Sequence, residues 1–521
     1  MNNQRNPCNP FNQRYSITTD VLIIGGGAAG IRAALAASEE GVRVTLVTKA
    51  PLTESGSTFT TLSPGWGIQA LAGRERTPEN LEAFYNDIMR VGLGQCDPTL
   101  VRILVEESGP RFEDLLSFGI RFRKDTRGNY LRAKGCFNDY ERAFLTESLE
   151  NINESLLSKI RRSPVRLMLG QAASLITSDE ICWGAWIITS NGRTIEVCAK
   201  ATILATGGGA GLFRDHLVTD DEAGEGYALA HRAGAKCTNL EFIQFMLGLR
   251  SKASRRFLSL PDLRLPGVLK DSEGLDHLET NIPDPEERSK AVEDRLRHFP
   301  FSTRDASCKV DLAVARTRRE KRQVLWNKPD PTDGPWEVMH LAHAFNGGVR
   351  INERAESSIT GLFAAGEVAA GPHGADRIGG CMMTATQVFG ARAGKHAALR
   401  AKHEKASFPQ VTVPEFLDRL GLKPKGGTLD SELLYLFDEA KTAFSTELML
   451  LRDHKGIMNC LSKIREATHF MNGVSENDPR FSAATKNRLS AMALICEAAL
   501  KRKESLGPHY RTDARSYLFP K

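Results

Sequence analysis

The feature that most constrains the fold of this 521-residue chain is a glycine turn between two apolar strands near its start. Asp20 to Lys49 reads DVLIIGGGAAGIRAALAASEEGVRVTLVTK. Val21 to Ile24 predicts a buried strand, the alanine-rich run to Glu39 predicts a helix, and residues 42–47 predict a second strand. A strand, a glycine turn, a helix and a second strand in this order are typical of the first unit of a parallel sheet that binds a dinucleotide. We therefore expect an α/β fold.

The glycines of this turn have distinct expected roles. Gly25 permits the tight turn, Gly27 lets the backbone approach a pyrophosphate, and Gly30 lets the helix pack closely on the sheet. The phosphates would lie at the helix N-terminus, where free N–H groups and the helix dipole favour anions. Lys49 stands where an acidic residue usually binds the adenosine ribose, so this unit alone does not separate FAD from NAD.

Two further apolar strands lead into glycine turns. One is ATILATGGGAGLFRD at residues 201–215, and the other opens GLFAAGEVAAGPHGADRIGG at residue 361. Three such turns far apart in the chain predict one sheet assembled from distant segments around an extended cofactor.

Composition excludes several classes of protein. The net charge is +6 without a long Lys/Arg block, which argues against nucleic-acid binding. No apolar run approaches the roughly 20 residues of a transmembrane helix. The polar first 18 residues lack an apolar signal segment, so we expect a surface tail. Ten cysteines without a Cys-x-x-Cys pair or a Cys/His cluster favour a reducing, cytoplasmic setting, with no metal site and no iron–sulfur cluster within the chain.

The glycine turns belong to a larger set of motifs in a specific order. Besides DVLIIGGGAAG, the chain contains GSTFTTLS, ATGGGAG with GEGYALAHRAGA, HAFNGGV, GEVAAGPHGADRIGG and a C-terminal RKESLGPHYRTDARS. From Asp20 to about Ser516, this set resembles the flavoprotein family of succinate dehydrogenase, fumarate reductase and L-aspartate oxidase. The resemblance implies FAD, bound in a Rossmann-like domain that carries an inserted α+β capping domain and a C-terminal helical bundle.

The resemblance and the periodicity together suggest domain boundaries. We expect an FAD-binding domain at 19–235 plus 345–408 and a capping domain at 236–344. The linker and C-terminal helical domain would occupy 409–521, after an N-terminal tail at 1–18. The charged, proline-containing segment 271–300 is expected to lie outside the core, and helical periodicity from Ser431 onward predicts the bundle.

The resemblance also implies cofactor-binding residues. In this family Glu367 would bind ribose, and Glu225 stands where relatives usually have Asp. Ser57 occupies the place of the histidine that carries the flavin covalently in respiratory members, which implies a non-covalent flavin. The full expected set is Gly25, Gly27, Ala29, Gly30, Lys49, Ser57, Thr58, Ala205, Thr206, Gly207, Glu225 and Glu367.

Hydride transfer next to a carboxylate builds negative charge there, so the site needs fixed cations and hydrogen-bond donors. An arginine guanidinium matches a carboxylate in a bidentate way. By resemblance, Arg377 in HGADRIGG and His343 in HAFNGGV would hold the carboxylate. Arg304 in STRDAS would donate or accept the proton.

One stretch departs from the family. LEFIQFMLGLR keeps Gln244 of the family pattern EFxQFHPT but has Met246 for its histidine and Gly248 for its threonine. An ionised second carboxylate would lose charge-assisted hydrogen bonds worth about 1.5–3 kcal/mol each. Either the far end of the substrate is less acidic than in succinate or aspartate, or a neighbour supplies the donors. The candidate neighbours are Arg250, Lys252 and Lys134.

A second departure is Cys136, which stands in a loop where relatives carry Glu or Thr near the substrate. It either lines the substrate pocket or is only a buried thiol.

The sequence therefore predicts an FAD-dependent oxidoreductase that moves hydride at a C–C or C–N bond beside a carboxylate, with an altered substrate pocket. Two alternatives stay open. One is an L-aspartate oxidase-like amino-acid oxidase, and the other is a flavoprotein subunit that passes electrons to a separate iron–sulfur partner. A small organic acid is the expected substrate, and an electron-transfer partner and a homo-oligomer are both possible.

Overall fold

The computed structural model describes residues 15–60, 65–251, 254–327, 336–405, 408–409, 431–473 and 478–514. The strands of these residues are β1 (Tyr15–Ile24), β2 (Val44–Thr48), β3 (Gly67–Gln69), β4 (Arg132–Lys134), β5 (Glu141–Leu145), β6 (Arg166–Leu169), β7 (Gln171–Ser178), β8 (Ile181–Ile188), β9 (Thr194–Leu204), β10 (Cys237–Thr238), β11 (Ile243–Arg250), β12 (Arg255–Phe257), β13 (Leu269–Asp271), β14 (Val324–Trp326), β15 (Trp336–Phe345), β16 (Gly348–Arg350), β17 (Leu362–Ala364) and β18 (Ala369–Ala370).

The α-helices of the same residues follow in chain order. They are α1 (Ala28–Glu39), α2 (Pro78–Val91), α3 (Pro98–Ser117), α4 (Leu149–Arg161), α5 (Glu225–Arg232), α6 (His277–Asn281), α7 (Pro285–Arg295), α8 (Cys308–Arg319), α9 (Cys381–His403), α10 (Ser431–Glu447), α11 (His454–Gly473) and α12 (Pro479–Lys501).

The central sheet has the strand order β6-β2-β1-β9-β8-β7, and β17 pairs with β9. The pairs β6–β2, β2–β1, β1–β9 and β9–β17 are parallel, whereas β9–β8 and β8–β7 are antiparallel. The carboxyl ends of β1, β2, β9 and β17 therefore meet at one edge of the sheet. This edge is where ligands bind in open parallel sheets, and it joins the three glycine turns that the sequence separates.

The first strand is longer than the sequence analysis predicts. It begins at Tyr15 rather than Val21, so the last four residues of the expected N-terminal tail form part of the sheet. Tyr15 to Thr19 pair in parallel with residues 195–199 of β9. The added strand follows from this partner, because polar and β-branched residues form a strand readily once a neighbour satisfies their backbone groups.

A second sheet, of strand order β12-β11-β15-β14-β13, lies between the two parts of the chain that build the central sheet. It packs with α6, α7 and α8 around its own core. Segment 271–300 was expected to lie outside the core, but Leu278, Ile282, Ala291 and Val292 are buried in it. Most charged residues of α6 and α7 lie on the outer faces, because amphipathic helices bury one face, and Arg295 at the end of α7 is the buried exception.

The C-terminal region is helical, as the periodicity predicts. α10, α11 and α12 contact one another through buried positions such as Leu433, Ala440, Leu489 and Met492. Most of the expected linker lies outside the described residues. No helix in the described part of the chain is both long and apolar enough to cross a bilayer.

Candidate active site

A cavity of about 630 Å³ follows the carboxyl edge of the central sheet and continues to β11 and β15 of the second sheet. All the sequence-predicted site residues except Gly30 and Arg304 line it: Gly25, Gly27, Ala29, Lys49, Ser57, Thr58, Cys136, Ala205, Thr206, Gly207, Glu225, Gln244, Met246, His343, Glu367 and Arg377. Residues spread over more than 350 positions of the chain are thus brought to one cavity.

The first glycine turn is shaped by close backbone packing. Gly25 has φ +112°, and a Cβ there would lie 2.1 Å from the Ala205 carbonyl oxygen. A Cβ on Gly30 would lie 1.8 Å from the Gly25 carbonyl oxygen, which explains why Gly30 packs inside and does not line the cavity. Around Gly27, a Cβ would approach only the Thr58 hydroxyl, at 3.2 Å, so this part of the turn faces the cavity.

An ion pair closes the end of the cavity at β2. The Lys49 ammonium lies 2.8 Å from Glu225 Oε1, and Arg488 of α12 lies 3.4 Å from the same oxygen. Glu225 begins α5 and is buried. The carboxylate that the sequence lacks at the end of β2 is therefore brought there from a helix about 175 residues away.

Glu222 was missed by the sequence analysis. It is buried at the cavity and accepts a hydrogen bond from the Ser57 backbone N–H. Burial raises the pKa of Glu222, and burial together with nearby Glu222 raises the pKa of Glu367 to about 8. The only sequence signal is an acidic run before Gly224, which is far more often a solvated loop.

Several polar atoms at the cavity are buried without a hydrogen-bond partner among the described residues. They are Ser57 Oγ, Thr206 Oγ1, Gln244 Nε2, His343 Nδ1 and Arg377 Nε. Buried polar groups normally have partners. Together with the glycine cradle, these atoms fit a long ligand with polar groups at several points, as FAD has.

Arg377 and Gln244 form the polar part of the cavity at the second sheet. Arg377 is buried and donates to Gln244 Oε1 at 2.6 Å. His343 faces the same space from β15, and burial with nearby Arg377 lowers its pKa to about 4. The ring is therefore neutral near pH 7 and can donate one hydrogen bond without adding charge.

Arg304 does not reach the cavity. Its Nε lies 2.9 Å from Asp376 Oδ2, its Nη2 donates to the Val91 carbonyl at 2.8 Å, and its guanidinium lies over the Phe137 ring. Arg304 is thus paired with the buried carboxylate of Asp376, the residue before Arg377 in the chain, and it is not among the residues that line the cavity. Its role in proton transfer stays a prediction.

The Met246 side of the cavity is apolar. Met246 packs with Leu217, Met339 and Leu341. A Cβ on Gly248 would lie 2.3 Å from Leu341 Cδ1, so a threonine does not fit there without movement of that side chain.

Two of the three candidate neighbours for the missing donors, Arg250 and Lys134, do not line the cavity. Arg250 is engaged by Asp215 at 2.9 Å and Glu337 at 2.8 Å. Arg250 and the exposed Lys134 are both absent from the cavity wall. The third candidate, Lys252, lies outside the described residues.

Cys136 lines the cavity, as Arg377 and Phe299 do. Burial raises the pKa of its thiol, so the group is neutral near pH 7. In the part of the chain that the structure describes, no group of three or more His, Cys, Asp or Glu side chains could hold a metal ion.

Comparison with known proteins identifies the family. Residues 20–383 match the family model described as an FAD binding domain. The chain belongs to this family. FAD is its cofactor, and the protein is an FAD-dependent oxidoreductase of the fumarate reductase, succinate dehydrogenase and L-aspartate oxidase type, which confirms the resemblance seen in the sequence.

Relatives of this flavoprotein match nearly end to end. It is 29% identical to a subunit of the CoM/CoB fumarate reductase of Methanothermobacter marburgensis, over 95% of this chain and 94% of the relative. Identity is also 29% to L-aspartate oxidase of Halobacterium salinarum, over 95% and 97%. The solved structure of a variant of FrdA from E. coli quinol fumarate reductase shares the α/β flavoprotein fold, with a TM-score of 0.78 at 20% identity over 96% and 93%.

Proposed function

We propose that this flavoprotein moves hydride to or from a carbon next to a carboxylate, at a C–C or C–N bond. The observation that carries this proposal is the buried guanidinium of Arg377, whose Nε lacks a partner among the described residues and which faces the cavity beside His343. A buried unpaired cation is costly unless an anion joins it. An organic acid supplies that anion.

Arg377, Gln244 and His343 would have different roles in binding the substrate carboxylate. Gln244 accepts one N–H of Arg377 and thereby fixes the plane of the guanidinium. The remaining donors of Arg377 and one N–H of neutral His343 would hold the substrate carboxylate. These donors stabilise the negative charge that develops on it during reaction. FAD, when bound, supplies the group that accepts or donates hydride.

Proton transfer to the neighbouring carbon is proposed for Arg304. Its pairing with Asp376 gives it the carboxylate neighbour that an arginine needs to exchange protons, because free arginine is a very weak acid. The guanidinium would have to turn from the Val91 carbonyl toward the cavity to do this.

The flavin is proposed to be held without a covalent bond. Ser57 stands at the expected attachment position and lines the cavity. Its hydroxyl is not a ring nitrogen that could form the histidyl link, although it can donate a hydrogen bond.

Two alternative functions are each supported by a relative. The similarity to L-aspartate oxidase favours an amino-acid oxidase, but aspartate would place its second carboxylate against Met246. The similarity to a protein named as one component of a multi-subunit fumarate reductase favours electron transfer to a separate iron–sulfur protein.

The test is an acid titration of the purified, FAD-loaded protein, followed through flavin absorbance. Organic acids should perturb the spectrum of the wild type. Arg377→Met should weaken their binding about 100-fold while retaining FAD, because it removes a charged bidentate contact. The control is Arg250→Met, since Arg250 is a paired arginine away from the cavity.

Three further readouts separate the alternatives. Release of all the flavin by acid precipitation supports non-covalent binding. Peroxide production in air supports an oxidase, whereas reoxidation only by an added dye supports a partner-dependent dehydrogenase. If no acid perturbs the wild-type flavin, or Arg377→Met binds acids as well as Arg250→Met does, the proposed function is wrong.

A further inference from the structure

We propose that the site selects monocarboxylic acids whose far end is apolar, and that it discriminates against dicarboxylates. This inference rests on the proposed function, since it takes Arg377 as the group that holds the carboxylate. It adds the chemical class of the rest of the substrate.

The first step is the distribution of charge around the cavity. Among the described residues that line it, the cationic side chains are Lys49 and Arg377. Lys49 is paired with Glu225 at the end near β2. One carboxylate on Arg377 therefore uses the cation that lines the cavity at the second sheet, and a second carboxylate against Met246 would meet no further charged side chain among the described lining residues.

The arginines that follow Met246 most closely in the sequence are bound to other groups of the protein. Arg250 is held by Asp215 and Glu337. Arg255 donates to the carbonyls of His216 and Arg214. Arg256 lies over the Trp336 ring at 4.1 Å. Bringing any of them to the cavity would break the contacts that it makes now.

The second step is the apolar wall, defined here as Leu217, Met246, Phe257 and Phe299, all of which line the cavity. The Phe257 ring centroid lies 6.2 Å from that of Phe299 and 6.5 Å from that of His343. Phe299 is 41% exposed. The wall thus begins beside a carboxylate-binding histidine and presents aromatic surface that an apolar ligand would bury.

The third step is the rigidity of this wall. The fully buried Arg295 pairs with Asp311 and donates to the carbonyls of His298 and Phe299. Next to it, Pro300 forms a backbone bridge with Met246. These contacts hold the Phe299 loop opposite Met246, so the apolar surface is built by the fold of the second sheet rather than left by a mobile side chain.

The test compares acids that differ only at the far end, by flavin absorbance titration of the FAD-loaded protein. Fumarate has a carboxylate where crotonate has a methyl group and trans-cinnamate a phenyl ring. We expect cinnamate to bind tighter than crotonate, and crotonate about tenfold or more tighter than fumarate, because an unpaired carboxylate is costly to bury. L-phenylalanine against L-aspartate makes the same comparison for reaction at a C–N bond.

Variants of Met246 test the wall directly. Met246→His should raise fumarate affinity about tenfold and lower cinnamate affinity, because it adds a donor and removes apolar surface. Met246→Leu keeps an apolar side chain of similar volume and should gain nothing for fumarate.

The inference is overturned if the wild type prefers fumarate to crotonate in an Arg377-dependent way, and the proposed function then stands. If no acid binds at all, the proposed function fails, and this inference fails with it.

Discussion

The protonation of Arg377 and His343 depends on their removal from water, since Arg377 is buried and His343 is half-buried at the cavity. Arg377 keeps its charge inside the cavity, and that charge together with burial keeps the neighbouring histidine neutral. A protonated His343 would be a second cation beside Arg377, and the two charges would repel each other without adding a needed contact. A single positive charge with neutral donors around it suits one carboxylate.

The lowered pKa of His343 makes stability depend on pH. Near pH 7 and above, the ring is neutral in both the folded and the unfolded chain, so it contributes no pH dependence. As the pH falls from about 6.5 toward 4, the unfolded chain takes up a proton that the folded ring does not, and the free energy of unfolding drops. At pH 5 the loss should be about 1–2 kcal/mol.

The loss of stability at low pH is measured as the free energy of urea unfolding of the FAD-free protein at pH 7.5 and at pH 5. His343→Gln should lose less stability between the two pH values than the wild type, by about that amount. A change at the exposed His403 to Gln is the control and should behave as the wild type. Equal losses in all three proteins would show that His343 titrates normally.

Among the elements, α1 and α9 illustrate how small residues set the packing of the cofactor domain. Both are rich in alanine and glycine, and they make close contact along their lengths. A Cβ on Gly394 of α9 would lie 2.2 Å from the Ala33 carbonyl oxygen of α1, and one on Gly390 would lie 2.9 Å from that of Ala29. The backbone of α9 thereby supports the helix whose N-terminus faces the cavity.

We therefore expect Gly394→Ala to destabilise the protein by about 1–3 kcal/mol, because the two helices must separate. Thermal or urea unfolding measures this loss, and FAD content should fall with it since α1 begins at the glycine turn. The control is the neighbouring exposed residue in Lys395→Ala, with an expected change within about 0.5 kcal/mol. Equal stability of the two variants would contradict the packing argument.

At the scale of the whole molecule, the segment after α12, residues 502–514, contacts parts of the cofactor domain, of the region around the second sheet and of the helical region. The Gly507 carbonyl accepts from the Thr303 N–H at 2.8 Å, next to Arg304. The fully buried Arg452 donates to the Glu241 carbonyl and lies 2.7 Å from His509 Nδ1. This short segment thus touches the loop between α7 and α8, the helical region and, through Gly507, the loop before Arg377.

Gly507 offers a test of this coupling. It has φ +55°, and a Cβ there would lie 2.9 Å from Ala375 Cβ, two residues before Arg377. Gly507→Val should displace that loop and weaken acid binding about tenfold or more while FAD stays bound, since small misplacements of a binding group are costly. Flavin absorbance titration measures the effect.

The matched control is Gly128→Val. Gly128 also has positive φ, at +85°, but its Cβ would meet no atom within 4 Å. Both variants strain the backbone, and only Gly507→Val crowds the Arg377 loop. Equal acid affinity in the two variants would rule out the coupling.

Much of the site follows from local patterns in the sequence. The glycine turn after β1 and the turns at Ala205 and Gly366 are predictable, because a strand that runs into glycines before a helix has few other uses. Met246 and His343 lie within β11 and β15, and Arg377 lies in the loop between β18 and α9, and all three line the same cavity. The comparisons with known proteins confirm the FAD cofactor and the family that these patterns predict.

Only the tertiary structure decided which charges meet. Lys49 pairs with Glu225 and Arg304 pairs with Asp376, each across a long stretch of chain. The carboxylate of Glu222 also accepts a hydrogen bond from the distant Ser57 backbone N–H. Likewise, Phe299 faces the cavity because the buried Arg295 holds its loop. Periodicity and motifs indicate which face of an element is buried, whereas pairing between distant side chains depends on how the elements pack. For this reason the sequence alone determined the part of the cavity at the edge of the central sheet, where the cofactor binds. The shape and charge of the part at the second sheet were decided only by the tertiary structure.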